Sequence, residues 1–173
     1  MHIQVNPVSG HQGELSFGPI LYPCALGKAG VTTYKKEGDH ASPIGKYVLR
    51  DLYYRPDRLA KPVCTLPIHE ISKIDGWCDD PEHPDYNRKI TLPFTASHES
   101  LFREDSLYDL IVILGHNDDP PVPGAGSCIF MHVATADYSG TEGCVALKQS
   151  HLLELLAAIP RHTELEILPV KTG

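Results

Sequence analysis

The sequence predicts a mainly β (α+β) domain with one main helix, on three observations. Proline and glycine are abundant, 15 and 14 of 173 residues, which argues for strands joined by shaped turns rather than for a helical bundle. Short alternating or wholly apolar runs recur along the chain, Tyr108–Leu114 being the strongest. One segment alone, Ser150–Ile159, combines helical apolar spacing with a stop signal. A chain of 173 residues is long enough to bury a sizeable core as one domain.

The elements follow in order. His2–Asn6 alternates around Ile3 and Val5, Gly13–Phe17 follows a turn, and Ile20–Leu26 is apolar. Gly27-Lys28-Ala29-Gly30 reads as a turn, and the polar loop Lys36–Gly45 feeds a strand over Lys46–Leu49. Residues 53–106 carry many prolines and no long periodic segment, and a loop of that length in a compact domain marks function. Within it, Trp77-Cys78-Asp79-Asp80 and Tyr86-Asn87 are candidates to shape a lid. Tyr108–Leu114 then predicts a strand buried on both faces. A second buried strand is expected over Cys128–Val133 and a short one over Gly143–Leu147. Ser150 is the expected helix cap, Leu152, Leu153, Leu155 and Leu156 form its apolar face, and Pro160 ends it. Glu164–Leu168 closes the chain as a strand. Neither a repeat nor a linker divides residues 1–173.

Composition excludes several functions. Lys plus Arg is 15 against 22 Asp plus Glu, a net charge of −7, which disfavours gripping a nucleic-acid backbone. The chain has no apolar run of about 18 residues, so no membrane span is expected. Met1–Pro7 has neither a basic region nor a long apolar one, so a cytoplasmic location is expected. The five cysteines are odd in number and form no C-x-x-C, and there is no H-E-x-x-H; neither a metal nor a cofactor is expected. Gly124-Ala125-Gly126-Ser127 precedes a strand instead of opening a helix, so it is not read as a nucleotide loop.

Chemistry concentrates late in the chain. Ile129-Phe130-Met131-His132-Val133 puts a histidine near the end of a buried strand. After a polar connection, Thr141-Glu142-Gly143-Cys144-Val145-Ala146-Leu147 puts a cysteine directly after a glycine. Two adjacent strands would bring thiol and imidazole together, as cysteine nucleophilic catalysis requires. The turn at Gly143 exposes the thiol and offers backbone N–H groups to a developing oxyanion. The other reading is a buried thiol beside an edge histidine. Thr141 would orient His132 or line the site, or be a turn residue. His116 and Asn117, leaving the strongest strand, would face the same cleft or belong to a loop.

His132 followed by Thr141-x-Gly143-Cys144 and a hydrophobic residue resembles the active-site signature of the YkuD family, the L,D-transpeptidase catalytic domain. Gly38…Ser42-Pro43-Ile44-Gly45 is similar to that family's Thr-Pro-x-Gly segment, with Ser for Thr. The resemblance spans roughly residues 30–160. It implies a YkuD-like β-sandwich or barrel with the helix after the cysteine, Cys144 as acylated nucleophile and His132 as its base. It also implies peptidoglycan stem peptides (muropeptides) as substrate. The sequence departs from the signature at Glu142, where the family has His, and at Ala146, where it has Arg or Asn; the spacer after His132 is shorter too. A substrate carboxylate therefore needs another anchor, and Arg88 or Arg103 is the candidate. With the expected cytoplasmic location, the resemblance implies an L,D-carboxypeptidase that removes terminal D-alanine from tetrapeptides in murein recycling. An L,D-transpeptidase and an inactive peptidoglycan-binding module are the alternatives. A Cys–His pair also leads to an expected pH–rate profile with one limb near neutrality.

Overall fold

The computed structural model describes residues 2–172. In chain order the elements are β1 (Ile3–Ser9), β2 (Gln12–Phe17), β3 (Ile20–Ala25), β4 (Val31–Thr32), β5 (Ser42–Pro43), β6 (Gly45–Tyr54), β7 (Ile68–Glu70), β8 (Asp75–Cys78), β9 (Lys89–Thr91), β10 (His98–Ser100), β11 (Leu110–Leu114), β12 (Phe130–Val133), β13 (Val145–Leu147), α1 (Gln149–Ala158) and β14 (Glu164–Ile167). The main sheet runs β11-β12-β13-β3-β2-β1-β14-β6-β7, and β11 also pairs with β6. That extra pairing closes the sheet into a barrel. The ten-residue β6 makes closure possible: its first part pairs with β14 and its second with β11 and β7.

Alternation sorts the side chains into two cores. Leu110, Val112 and Leu114 of β11 point into the barrel, where they join Ile3, Val5, Leu15, Met131, Val145 and Leu147. Ile111 and Ile113 point outward and pack with Tyr53, Trp77, Leu101, Tyr108 and Phe130 in a second cluster. A strand covered on both faces must be apolar at every position, which is why Tyr108–Leu114 reads as an unbroken run.

The cover on the outer face is the proline-rich excursion. It is not a structureless loop: β10, β8 and β9 form a small antiparallel sheet. Three- and four-residue strands are too short to show a period, so the sequence reading missed them. The helix begins one residue earlier than expected. Lys148, not Ser150, is its N-cap and makes no side-chain cap bond, while the Lys148 carbonyl accepts the Leu152 N–H at 3.0 Å. Leu152, Leu155 and Leu156 are buried in the barrel core. Ile159 is extended (φ −75°, ψ 132°), as a residue before proline prefers, and the helix ends there.

Candidate active site

β12 and β13 run parallel, with His132 opposite Ala146. Two residues back, Phe130 stands opposite Cys144, and its N–H points at the Cys144 sulfur (3.4 Å). His132 and Cys144 are therefore diagonal neighbours on the outer face. They form the floor of a cleft of about 730 Å³ between the barrel wall and the excursion. Ala146, the small residue opposite the imidazole, also lines this cleft.

The turn before Cys144 is built around its carbonyl. Thr141 Oγ1 donates to Cys144 O at 2.7 Å and Ser42 Oγ donates to the same oxygen at 3.4 Å. Ser42 in turn accepts the Gly27 N–H at 2.9 Å. Gly143 is at φ +136°, and a Cβ there would lie 2.8 Å from Ala41 O, so the close approach of two backbones requires glycine. The sequence reading expects a Gly143 N–H free for an oxyanion, and the structure corrects this. That N–H donates to Thr141 Oγ1 at 3.1 Å.

Burial sets the protonation states. The Cys144 thiol is pushed up to about 12 and the His132 imidazole down to about 4, in both cases because charge is costly in the apolar floor. At neutral pH the pair is a thiol and a neutral imidazole. His132 Nδ1 lies 2.8 Å from Val133 O; a carbonyl only accepts, so Nδ1 carries the proton and Nε2 is the free base. Burial therefore displaces the imidazole titration expected near neutrality toward acid pH.

Around the dyad stand Arg103, a candidate anchor from the sequence, and groups such as Tyr108 and Glu99 that the sequence reading did not select. Tyr108 meets the His132 ring edge-on at 5.4 Å and donates to Glu99 of β10. The Arg103 guanidinium lies 5.1 Å from the Tyr108 ring and pairs with Asp105 (2.6 Å). Two other arginines fix this segment: Arg55 Nη1 donates to Arg103 O, and Arg58 donates to Glu104 O and Asp105 O. These contacts join residues about 50 positions apart, and no local pattern announces them. At the rim, Glu142 pairs with Lys28 (3.1 Å) and His40 (3.2 Å), and the Lys28 bond draws its carboxyl below the usual range.

Of the expected substrate contacts, Arg103 and Thr141 line the cleft. Arg88 does not; it borders two other depressions behind the excursion. His116 and Asn117 lie outside the cleft as well. His116 Nε2 is bonded to Ala125 O (3.1 Å), and the Asn117 side chain spends its bonds on Val122 and Gly126. Both lie in the loop after β11, which folds back on itself. Among the described residues, no group of three or more His, Cys, Asp or Glu is placed to hold a metal ion. No helix there is long and apolar enough to cross a membrane.

A family model described as YkuD, L,D-transpeptidase catalytic domain, matches residues 17–170. No curated protein matched the chain. Among solved structures, Bdellovibrio bacteriovorus Bd1075 is similar at 14% identity and a TM-score of 0.49, over 98% of this chain and 48% of that one. Mycobacterium tuberculosis L,D-transpeptidase 1 is similar at 12% identity and a TM-score of 0.39, over 97% of this chain and 62% of that one. The chain thus spans less than two thirds of either structure.

Proposed function

The chain belongs to the YkuD family of L,D-transpeptidase catalytic domains, and from that premise we propose that it is a cysteine-dependent L,D-carboxypeptidase removing terminal D-alanine from peptidoglycan tetrapeptides. One observation carries the reading: a thiol and a neutral imidazole share the floor of a peptide-sized cleft. Cys144 attacks the carbonyl before the terminal D-residue while His132 Nε2 takes the thiol proton. That proton passes to the departing D-alanine amine, leaving an acyl thioester. Water then attacks the thioester, His132 takes its proton and returns it to the thiol, and the tripeptide leaves with a new carboxylate. The Cys144 N–H, beside the carbonyl clamped by Thr141 and Ser42, is the oxyanion donor.

Hydrolysis over amine transfer is supported by Ala146. Ala146 stands opposite His132 where the family signature has Arg or Asn, so no polar side chain from that position is set beside the base to hold an amine acceptor. Arg103 anchors the substrate carboxylate. Glu37, Asp79 and Glu99 on the facing walls suit the ammonium of a diamino residue. Cytoplasmic murein recycling is part of the same proposal; the five free thiols are consistent with it, and fractionation of the producing cells tests it.

The test incubates the protein with sugar-free tetrapeptide, with and without excess D-amino acid, and reads products by mass spectrometry. Tripeptide and D-alanine in both tubes, and neither with Cys144→Ala, is the expected result. Predominant D-amino-acid exchange or crosslinked dimer assigns the chain to transpeptidation. No product, with Cys144 still open to alkylation, points to another amide or to a binding module.

A further inference from the structure

Three non-glycine residues in left-handed backbone, Asn87 (φ 55°), Asn117 (φ 50°) and Cys128 (φ 55°), are joined by one run of hydrogen bonds. Buried Asn87 is its centre. Its Oδ1 accepts the Cys128 N–H and the Trp77 Nε1–H, each at 3.1 Å. Its Nδ2 donates to His116 O (3.0 Å) and Asn117 O (2.8 Å). Both donors are used and the acceptor oxygen is doubly engaged. Strained non-glycine conformations persist only where the surroundings impose them, and they gather at functional sites. Here the run ends at the nucleophile: the Cys144 thiol lies 3.1 Å from Cys128 O and donates to it.

We propose that Asn87 is a positioning residue that acts through Cys128, holding the Cys144 thiol parked on a backbone carbonyl and turned from His132 until substrate engages it. Asn87 does not touch the cleft; Cys128 and Cys144 line it. The left-handed turn at Cys128 aims its carbonyl at the sulfur, and the Asn87 bond to the Cys128 N–H fixes that turn. A carbonyl facing sulfur favours the thiol and opposes the thiolate. The inference rests on Cys144 being the nucleophile, but not on which amide it cleaves.

The titratable groups facing Cys144 are His132, Cys128, Glu99, Tyr108, Lys35 and Glu142, and none is altered in the test. Alkylation of Cys144 by iodoacetamide is followed by peptide mapping from pH 6 to 10, so no peptide substrate is needed. Asn87→Gly keeps the left-handed backbone and deletes the amide. It is expected to raise the Cys144 alkylation rate at neutral pH about two- to tenfold, the worth of one ordinary hydrogen bond, and to displace the rising limb of the pH profile toward lower pH. Asn87→Asp loses the donors to His116 O and Asn117 O but keeps an acceptor for the Cys128 N–H and adds negative charge that opposes the thiolate, so it is expected to accelerate alkylation less than Asn87→Gly. Equal acceleration by both variants, or by neither, overturns the proposal. Should Asn87→Gly not fold, the S–H stretch of the wild-type chain, taken as a difference against Cys144→Ala, still decides. A band at the lowered frequency of a donating thiol supports the parked state, and a free-thiol frequency refutes it.

Discussion

Acidification should destabilise this fold through a single histidine. His132 is fully enclosed, and its imidazole titrates near 4 in place of the ordinary 6.5. Between those values the unfolded chain binds a proton that the folded chain refuses, so stability falls as pH falls through 6.5, and the loss is complete below about 4. At 1.36 kcal/mol per pH unit the full window is worth about 3 kcal/mol, and about 2.5 kcal/mol is spent by pH 4.5. Other groups titrate over the same range, so the measurement is a difference. Urea unfolding at pH 7.5 and 4.5 is compared between the wild-type chain and His132→Gln. The wild type should lose about 2–3 kcal/mol more than the variant on acidification. An equal loss in both would show that the folded imidazole titrates at its ordinary value and is hydrated, not enclosed. The burial-depressed basicity would fall with it, and a smaller loss in the wild type than in the variant would show a charged imidazole and sink the neutral-base mechanism.

Two further outcomes follow from local geometry. Gly143→Ala places a Cβ 2.8 Å from Ala41 O at φ +136°, so denaturant unfolding should show a loss of about 1–3 kcal/mol and D-alanine release should fall as the Cys144 turn shifts. Glu142→Gln breaks pairs with Lys28 and His40, but the carboxylate is two-thirds exposed, so unfolding should change by less than about 1 kcal/mol, and the difference should vanish in high salt.

What the sequence determined by itself was whatever depends on a strand's or helix's own periodicity. Tyr108–Leu114 announces double burial because both its faces are covered, and Leu152, Leu155 and Leu156 announce an inward helix face. Gly143-Cys144 and His132 stood out because a glycine precedes the cysteine, the histidine stands near the end of an apolar strand, and their spacing resembles the family signature. The rest was decided by contacts between segments far apart in sequence. Closure of the barrel needs β6 to pair with three neighbours, and the excursion becomes a sheet only when laid on the outer face of β11 and β12. Arg88, His116 and Asn117 have the right chemistry, yet register and loop path send them elsewhere. Asn87 looks like a loop residue until four bonds bury it behind Cys128. The low basicity of His132 and the reluctance of Cys144 to ionise belong to neither residue alone. They arise because tertiary packing removes water from both, and the cost of charge in that space is a property of everything that encloses it.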